Sequence, residues 1–406
     1  MSAPDANHDE AAPTGGAGEV FFAFLSLGLR SFGGPIAHLG YFRRAFVDER
    51  RWLDDARYTQ LLALCQFLPG PASSQLGFSI GLMRAGWRGA IAAFVGFTLP
   101  SALLMFAFAW WTPYLQTAWG RSLLHGLKLV AVVVVAQAVH SMWRSLAPDG
   151  PRRVLAAVAA AFLLWQPENG MQLLVLAAAA LLSPWVCRHV RAQGESSLDP
   201  GYGTRAGTVL LIIYALLLLA AFTVAWDGGA LLGTGAAFYR AGALVFGGGH
   251  VVLPWLKQAL VEPGLIDENT FLAGYGAAQA VPGPMFSLAA FLGDHMVDRA
   301  GWAGALVALV AIFLPGFLLL GGVMPFWRSL STRAHAVRIM AAINAAVVGL
   351  LAAAFYNPVW TGTVHDASDI LIALCGFVML AVARQPAWVA VLWCVAATGV
   401  GTWLVH

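Results

Sequence analysis

The sequence predicts an all-α membrane protein that crosses the bilayer repeatedly and is built from two inverted homologous halves. Three observations carry that prediction. Of 406 residues, 59% are hydrophobic and only 11% charged, with a mean hydropathy of +0.73, whereas soluble chains carry about 25% charged residues. Runs such as "LIIYALLLLAAFTVAW" and "GALVALVAIFLPGFLLLGG" approach the roughly 20 apolar residues that span a bilayer as a helix, and a β-barrel would show short alternating strands instead. Third, a motif pair recurs. Phe32, Gly33 and Gly34 return as Phe246, Gly247 and Gly248, an offset of 214 (246 − 32), and Pro69, Gly70 and Pro71 return as Pro282, Gly283 and Pro284, an offset of 213 (282 − 69).

The chain divides accordingly. Residues 1–18, "MSAPDANHDEAAPTGGAG", hold no Lys or Arg and read as a disordered N-terminal tail, since a secretory leader needs a basic start. Residues 19–143 form a first repeat, 144–235 linking transmembrane segments, 236–359 the second repeat, and 360–406 a C-terminal transmembrane pair. The hydrophobic segments number about ten to thirteen, not all of them full spans. Between the repeats Asp54 also matches Asp267, Gln66 matches Gln279, and Arg84 matches Arg299.

Loop charges orient the two copies. The loop after the first glycine motif carries Arg43, Arg44, Arg50, Arg51 and Arg57, and its counterpart carries Glu262, Asp267 and Glu268. Residues 112–121 hold only Arg121, and their counterpart holds Arg328, Arg333 and Arg338. Because cytoplasmic loops concentrate Lys and Arg, the copies are inverted, with 43–57 and 328–338 cytoplasmic and 262–268 outside. Two hydrophobic segments separate 43–57 from 112–121, so one of them fails to cross. The proline-glycine-proline segment is expected to be that re-entrant hairpin. The Phe-Gly-Gly segments are expected to be broken too, with their crossing left open.

Proline removes a backbone N–H and clashes with the preceding turn, so Pro69, Gly70 and Pro71 break a helix, as do Pro282, Gly283 and Pro284. Pro71 and Pro284 suit the first position of the next helix. The turn after each would offer unpaired amides and the hydroxyls of Ser73, Ser74 and Ser287 at a positive helix end, which binds anions. Gln66 and Gln279 stand one turn upstream with side-chain amides. The competing reading is a packed proline kink. Gly33 and Gly34 before Pro35, and Gly247, Gly248 and Gly249 before His250, mark unwound backbone or close helix packing.

His38 and His250 are not repeat equivalents, and each either satisfies a local hydrogen bond or shuttles protons. Lys128 is the lone lysine in the run "LLHGLKLVAVVVVA"; it marks a pathway or snorkels to the surface. Its counterpart is Asn344. Arg30 and Arg240 flank the glycine segments, where a guanidinium would pair an oxyanion bidentately. Arg84 and Arg299 read as anchors at the membrane interface. The expected substrate-binding set is thus the two glycine motifs and the two proline motifs with their serines and glutamines, plus Arg30, Lys128, His250 and Asn344.

Cys65, Cys187, Cys375 and Cys394 are scattered, with no metal-ligand or disulfide spacing, so neither a metal nor another cofactor is expected. No zinc-binding, nucleophile-elbow or phosphate-loop pattern appears, and the chain does not read as an enzyme. The net charge of +3 implies no nucleic-acid partner, because the basic residues sit beside membrane segments and meet the lipid bilayer. A homodimer is compatible with this reading.

The stretches "SFGGPIAHLGYFRRAFVDERRWLDDARYTQLLALCQFLPGPASSQLGFSIG" and "FGGGHVVLPWLKQALVEPGLIDENTFLAGYGAAQAVPGP" resemble the two signature halves of the chromate ion transporter family, and the resemblance covers nearly all of 20–357. It implies a multi-pass protein of the bacterial inner membrane with two homologous halves, exporting chromate and conferring resistance to it, with sulfate as the similar physiological dianion. Gly33, Gly34, Pro35, Pro69, Gly70 and Pro71 carry over from the family motifs, as do Gly247, Gly248, Gly249, His250, Pro282, Gly283 and Pro284. Leu265 departs by standing where the first half has Trp52. Moving a dianion outward against an inside-negative 100 mV is favourable by about 4.6 kcal/mol, so efflux driven by the potential or a proton gradient is expected. A sulfate or other oxyanion permease is the alternative. A membrane enzyme or lipid-handling protein would need a polar cluster facing one leaflet, which the sequence does not display.

Overall fold

The structure, a computed structural model, describes residues 15–405 apart from 116, 169, 191–197, 199, 225–230 and 297–300. All regular structure among the described residues is helical. Most of the expected tail, and Arg299, lie outside the described residues.

The first repeat opens with α1 (Ala17–Gly28), whose 12 residues reach only about 18 Å of a roughly 30 Å hydrocarbon core. The chain unwinds over 29–33 and re-enters a helix at α2 (Gly34–Arg43), prolonged by a π-helical turn at Arg44–Glu49. Both ends of this unit reach one face of the molecule. Gly15 N–H donates to Arg84 O (3.2 Å), Glu19 pairs with the Arg84 guanidinium (3.2 Å), and that guanidinium lies 5.0 Å over the Trp52 ring. Phe24 of α1 packs on Phe42 and Phe46 at 5.5 and 4.8 Å between ring centroids. The Phe-Gly-Gly segment is therefore a hairpin that does not cross, which settles the point the sequence left open.

A second hairpin follows. Asp54 starts α3 (Asp55–Phe67) by accepting from Arg57 N–H at 2.7 Å. Residues 68–71 turn the chain into α4 (Ala72–Trp111), which bends sharply at Ala85 and Gly86. Its first arm, 72–84, returns to the Arg84 face, and its second, 87–111, is long enough to span. α5 (Ala118–Leu146) runs back. Exposed Trp110, Trp111, Tyr114 and Trp119 collect where α4 hands over to α5, as amphipathic rings do at a bilayer interface.

Three connecting helices come next: α6 (Gly150–Trp165), α7 (Met171–Val186) and α8 (Thr204–Thr223). The second repeat repeats the plan. α9 (Leu231–Ala243) and α10 (Val252–Leu256, with a 3₁₀ turn before it and a π-helical turn Lys257–Val261 after it) form its first hairpin. α11 (Glu268–Ala280), capped by Asp267 through Thr270 N–H at 3.0 Å, and α12 (Leu288–Met296) form the second. α13 (Gly301–Val323), the short α14 (Trp327–Ser331) and α15 (Ala334–Ala354) follow, and α16 (Ala367–Ala381) and α17 (Ala387–Val405) end the chain. Among the described residues, five stretches, 72–114, 119–146, 204–223, 301–331 and 334–360, are long and apolar enough to cross a membrane.

Matched contacts confirm the repeat. Trp52 and Leu53 N–H both donate to Phe46 O, and Leu265 and Ile266 N–H both donate to Leu260 O. Gly28 abuts Phe97 O as Gly242 abuts Ile312 O, and Gly81 abuts Gly89 as Gly293 abuts Gly304. The copies are inverted. Lys128, early in α5, donates to Asn269 at the start of α11 (2.9 Å), and Lys257 donates to Asn357 (3.0 Å). The outer ends of the second pair of hairpins thus lie at the face opposite Arg84 and Trp52.

Candidate functional site

The broken segments of the two repeats lock into each other. Gly70 N–H donates to Val245 O at 2.6 Å, and Gly283 N–H donates to Ser31 O at 3.0 Å. Ser31 and Val245 hold the same place before their glycine motifs (245 − 31 = 214). Both glycines are left-handed, with φ of +124° and +107°, where a side chain is strained. A Cβ on Gly70 would lie 3.1 Å from Gly316 Cα, and one on Gly283 would lie 2.9 Å from Ser101 Oγ; Gly316 and Ser101 are again repeat equivalents. Gln75 Nε2 fills the first tip, donating to Pro69 O and Gly316 O at 3.0 Å each. The amides at the two tips, Gly70 and Gly283, therefore do not stay free. Each is satisfied by the unwound segment of the other repeat, which offers a spare carbonyl.

Beside this crossing lies a cavity of about 460 Å³ between the repeats. Phe32, Gly33 and Gly34 form one side of its floor and Gly247, Gly248, Gly249 and His250 the other. Its walls are Ala37 and Tyr41 of α2, Gln137, Ser141 and Met142 of α5, and Gln279 of α11. The turn between α16 and α17, with Arg384 and Gln385, edges it. Ser141 and Met142 lie on the last turns of α5, which places this part of the lining toward the Arg84 face.

The lining suits an anion. Among the described residues it contains Arg384 and no Asp or Glu. The N–H groups of Gly33, Gly34, Gly247 and Gly248 have no backbone acceptor among the described residues. A Cβ on Gly34 would meet nothing within 4 Å, and one on Gly248 only Met142 Sδ at 3.9 Å, so these glycines bare backbone to the cavity. Gly33 precedes the first turn of α2, whose positive end faces the same space. The buried Gln279 Nε2 has no partner among the described residues, nor does Asn344 Oδ1 behind Gly247. His250 Nδ1 lies 2.7 Å from Tyr275 Oη; a hydroxyl donating there keeps the ring proton on Nε2.

Of the residues expected from sequence, the cavity gathers Gly33, Gly34, Gly247, Gly248, Gly249, His250 and Gln279, with Pro35 in the first turn of α2 and Asn344 alongside. Pro69, Gly70 and Pro71, and Gly283 between Pro282 and Pro284, stand at the contact between the repeats instead; Ser73, Ser74 and Ser287 are buried, and the Ser74 and Ser287 hydroxyls have no partner among the described residues. Arg30 and Gln66 are exposed. Gln66 and Gln279 differ because α11 packs against α5 and α17, whereas α3 packs chiefly against α4. Lys128 is held by Asn269 near the opposite face. Sequence reasoning passed over Gln137, Ser141 and Arg384. Gln137 carried a signal, as the one amide in "LVAVVVVAQAVHSMW"; Arg384 carried none, being outside both repeats.

The family model described as Chromate transporter matches residues 18–183 and 232–401. The chain is 29% identical over 362 residues to the probable chromate transport protein of Synechococcus elongatus, covering 87% of each chain. It is 29% identical to the chromate transport protein of Pseudomonas aeruginosa (78% of this chain, 74% of the relative) and 28% identical to that of Cupriavidus metallidurans (84% and 82%). No solved structure matches it.

Proposed function

The chain belongs to the chromate transporter family, and from that premise we propose that it is a secondary exporter of the chromate dianion in a bacterial inner membrane, where it confers chromate resistance. The observation that carries the reading is the cavity, where both glycine motifs present bare backbone, Arg384 is the cation at the edge, and no carboxylate among the described residues lines the wall.

The Arg84 face also bears Arg43, Arg44, Arg50, Arg51 and Arg57, and the loops with Arg144, Arg328 and Arg333. By the positive-inside rule it is cytoplasmic, so the Ser141 and Met142 part of the cavity lies toward the compartment from which an exporter loads. Arg384 draws the anion in. The amides of Gly33, Gly34, Gly247 and Gly248, the positive end of α2, the Gln279 amide and His250 Nε2–H then replace part of its hydration. Release to the other side follows when the hairpins exchange roles, as inverted repeats allow. The membrane potential drives the step with about 2.3 kcal/mol for each net negative charge moved outward at 100 mV.

Radiolabelled chromate uptake into everted vesicles, with and without a collapsed potential, tests this. Uptake that disappears with the potential is expected. Potential-independent uptake, or uptake only into right-side-out vesicles, would overturn export.

A further inference from the structure

We propose that His38 binds a proton together with the anion, in a buried polar pocket on the side of α2 turned away from the cavity. The inference rests on the transport reading above. α2 gives Gly34, Ala37 and Tyr41 to the cavity wall, while His38, on the same helix, is 0% exposed. Its Nε2 lies 3.1 Å from Ser31 O, the carbonyl that also accepts from Gly283. A carbonyl oxygen only accepts, so the ring proton is on Nε2 and Nδ1 is a bare lone pair. Among the described residues no donor reaches Nδ1, and the buried Ser31 Oγ and Thr98 Oγ1 in the same region also lack partners. Buried polar atoms left unpaired are few in native proteins and commonly hold water. The Phe97 ring, 5.2 Å away edge-on, covers the imidazole, and Ser101 Oγ is committed to Thr98 O (3.0 Å).

Among the described residues no charged group on the surrounding elements serves the ring already. On α2 and α3, Tyr41 faces the cavity, Tyr58 donates to Leu39 O (2.6 Å) and Arg43 pairs with Asp55 (2.8 Å). On α1 and α4, Glu19 and Arg84 pair with each other (3.2 Å). The link through Gly283 brings only backbone and Ser287. His250 is paired with Tyr275 beside the cavity.

Uptake is a simple transfer. Nδ1 takes a proton from hydronium, an N–H bond forms, and water remains to be held by the Ser31 and Thr98 hydroxyls. A buried imidazolium with no counter-charge is unfavourable. A dianion at the Gly33 end of the same helix supplies one through low-dielectric protein, and by linkage the two ligands favour each other equally. The proton therefore travels with the anion, and each turnover moves one negative charge rather than two. The second repeat has Val252 at the equivalent position (252 − 38 = 214), so the site occurs once.

The test uses the full chain in proteoliposomes with a trapped pH dye and labelled chromate. His38→Gln keeps a donor for Ser31 O but takes no proton. Wild type should carry about one more proton per chromate than His38→Gln. Protons borne by the anion itself appear in both proteins and cancel. Should the variant fail to insert, wild type decides at an alkaline pH, equal on both sides, where chromate itself bears no proton: a tenfold chromate gradient is balanced by about 59 mV if one charge moves and about 30 mV if two move. Equal proton ratios in the two proteins, or balance near the lower voltage, overturn the proposal. Absence of chromate flux in wild type would overturn the transport reading itself, and this inference with it.

Discussion

The amide of Gly70 donates to the carbonyl of Val245 at 2.6 Å, so the proline-broken tip of one repeat is closed by the unwound glycine segment of the other. Its mate, Gly283 to Ser31, makes the same bond in the opposite sense at 3.0 Å. Broken backbone in a bilayer must find partners within the protein, and here each repeat supplies the other's. Neither hairpin can shift without the opposite repeat registering it.

Substitution at this crossing should act alike in both halves. Gly70→Ala and Gly283→Ala each place a side chain at a left-handed φ against a tight neighbour. Each should cost about 1–3 kcal/mol, read as lowered thermal stability in detergent, and Gly70→Leu or Gly283→Leu should abolish transport. A Gly70→Leu protein that inserts and carries chromate at the wild-type rate would remove the crossing from the account.

Gln279 should separate stability from function. Its buried, unpartnered amide penalises the empty protein. Gln279→Leu should therefore hold or raise the melting temperature while raising the apparent KM for chromate about tenfold or more. A destabilised variant with an unchanged KM would contradict this role.

Arg384 has a left-handed backbone, with φ of +52°, and stands at the cavity edge. Arg384→Gly keeps that backbone at ease while removing the cation. An increase in KM of about fivefold is expected, shrinking at high salt. Flux measured at two ionic strengths decides it.

Asp149 supplies a pH test at the turn before α6. Burial opposes its ionisation, but hydrogen bonds from the Arg152 side chain and backbone and from His189 outweigh that and hold its carboxyl at about 2. A depressed carboxyl stabilises the fold above its unfolded value of about 3.9 and loses that contribution as pH falls toward 2. Asp149→Asn should melt lower than wild type near neutral pH, with the gap closing between about pH 4 and pH 2. A gap independent of pH would show that the lost cap alone matters.

Orientation is tested by thiols. An impermeant reagent added to intact cells should label Glu262→Cys and leave Arg50→Cys unlabelled. Equal labelling would undo the inverted arrangement.

Much of this fold is legible in the chain because its signals are periodic or paired. Apolar runs, matched proline breaks and opposed loop charges are each local, and they yield the repeats, the inversion and one hairpin. Whether the Phe-Gly-Gly segments cross was not legible, since two short helices have the same hydropathy as a hairpin or as a broken span. The answer lies in Glu19 and Trp52 meeting Arg84, contacts remote in sequence. The glycines of the site were legible as a recurring motif. The split between Gln66 and Gln279 was not, because it follows from which helices cover α3 and α11. Arg384 reaches the cavity only by the docking of the C-terminal pair.

The central claim is that the cavity between the glycine motifs is the path of the anion. Ser141 lines it from α5, and Ser141→Trp would fill it without touching either hairpin crossing. Everted vesicles with wild type or Ser141→Trp at matched protein levels should be compared for labelled chromate uptake under an imposed potential. The account predicts strong uptake by wild type and uptake at the empty-vesicle level for Ser141→Trp; uptake by Ser141→Trp at the wild-type rate would contradict it.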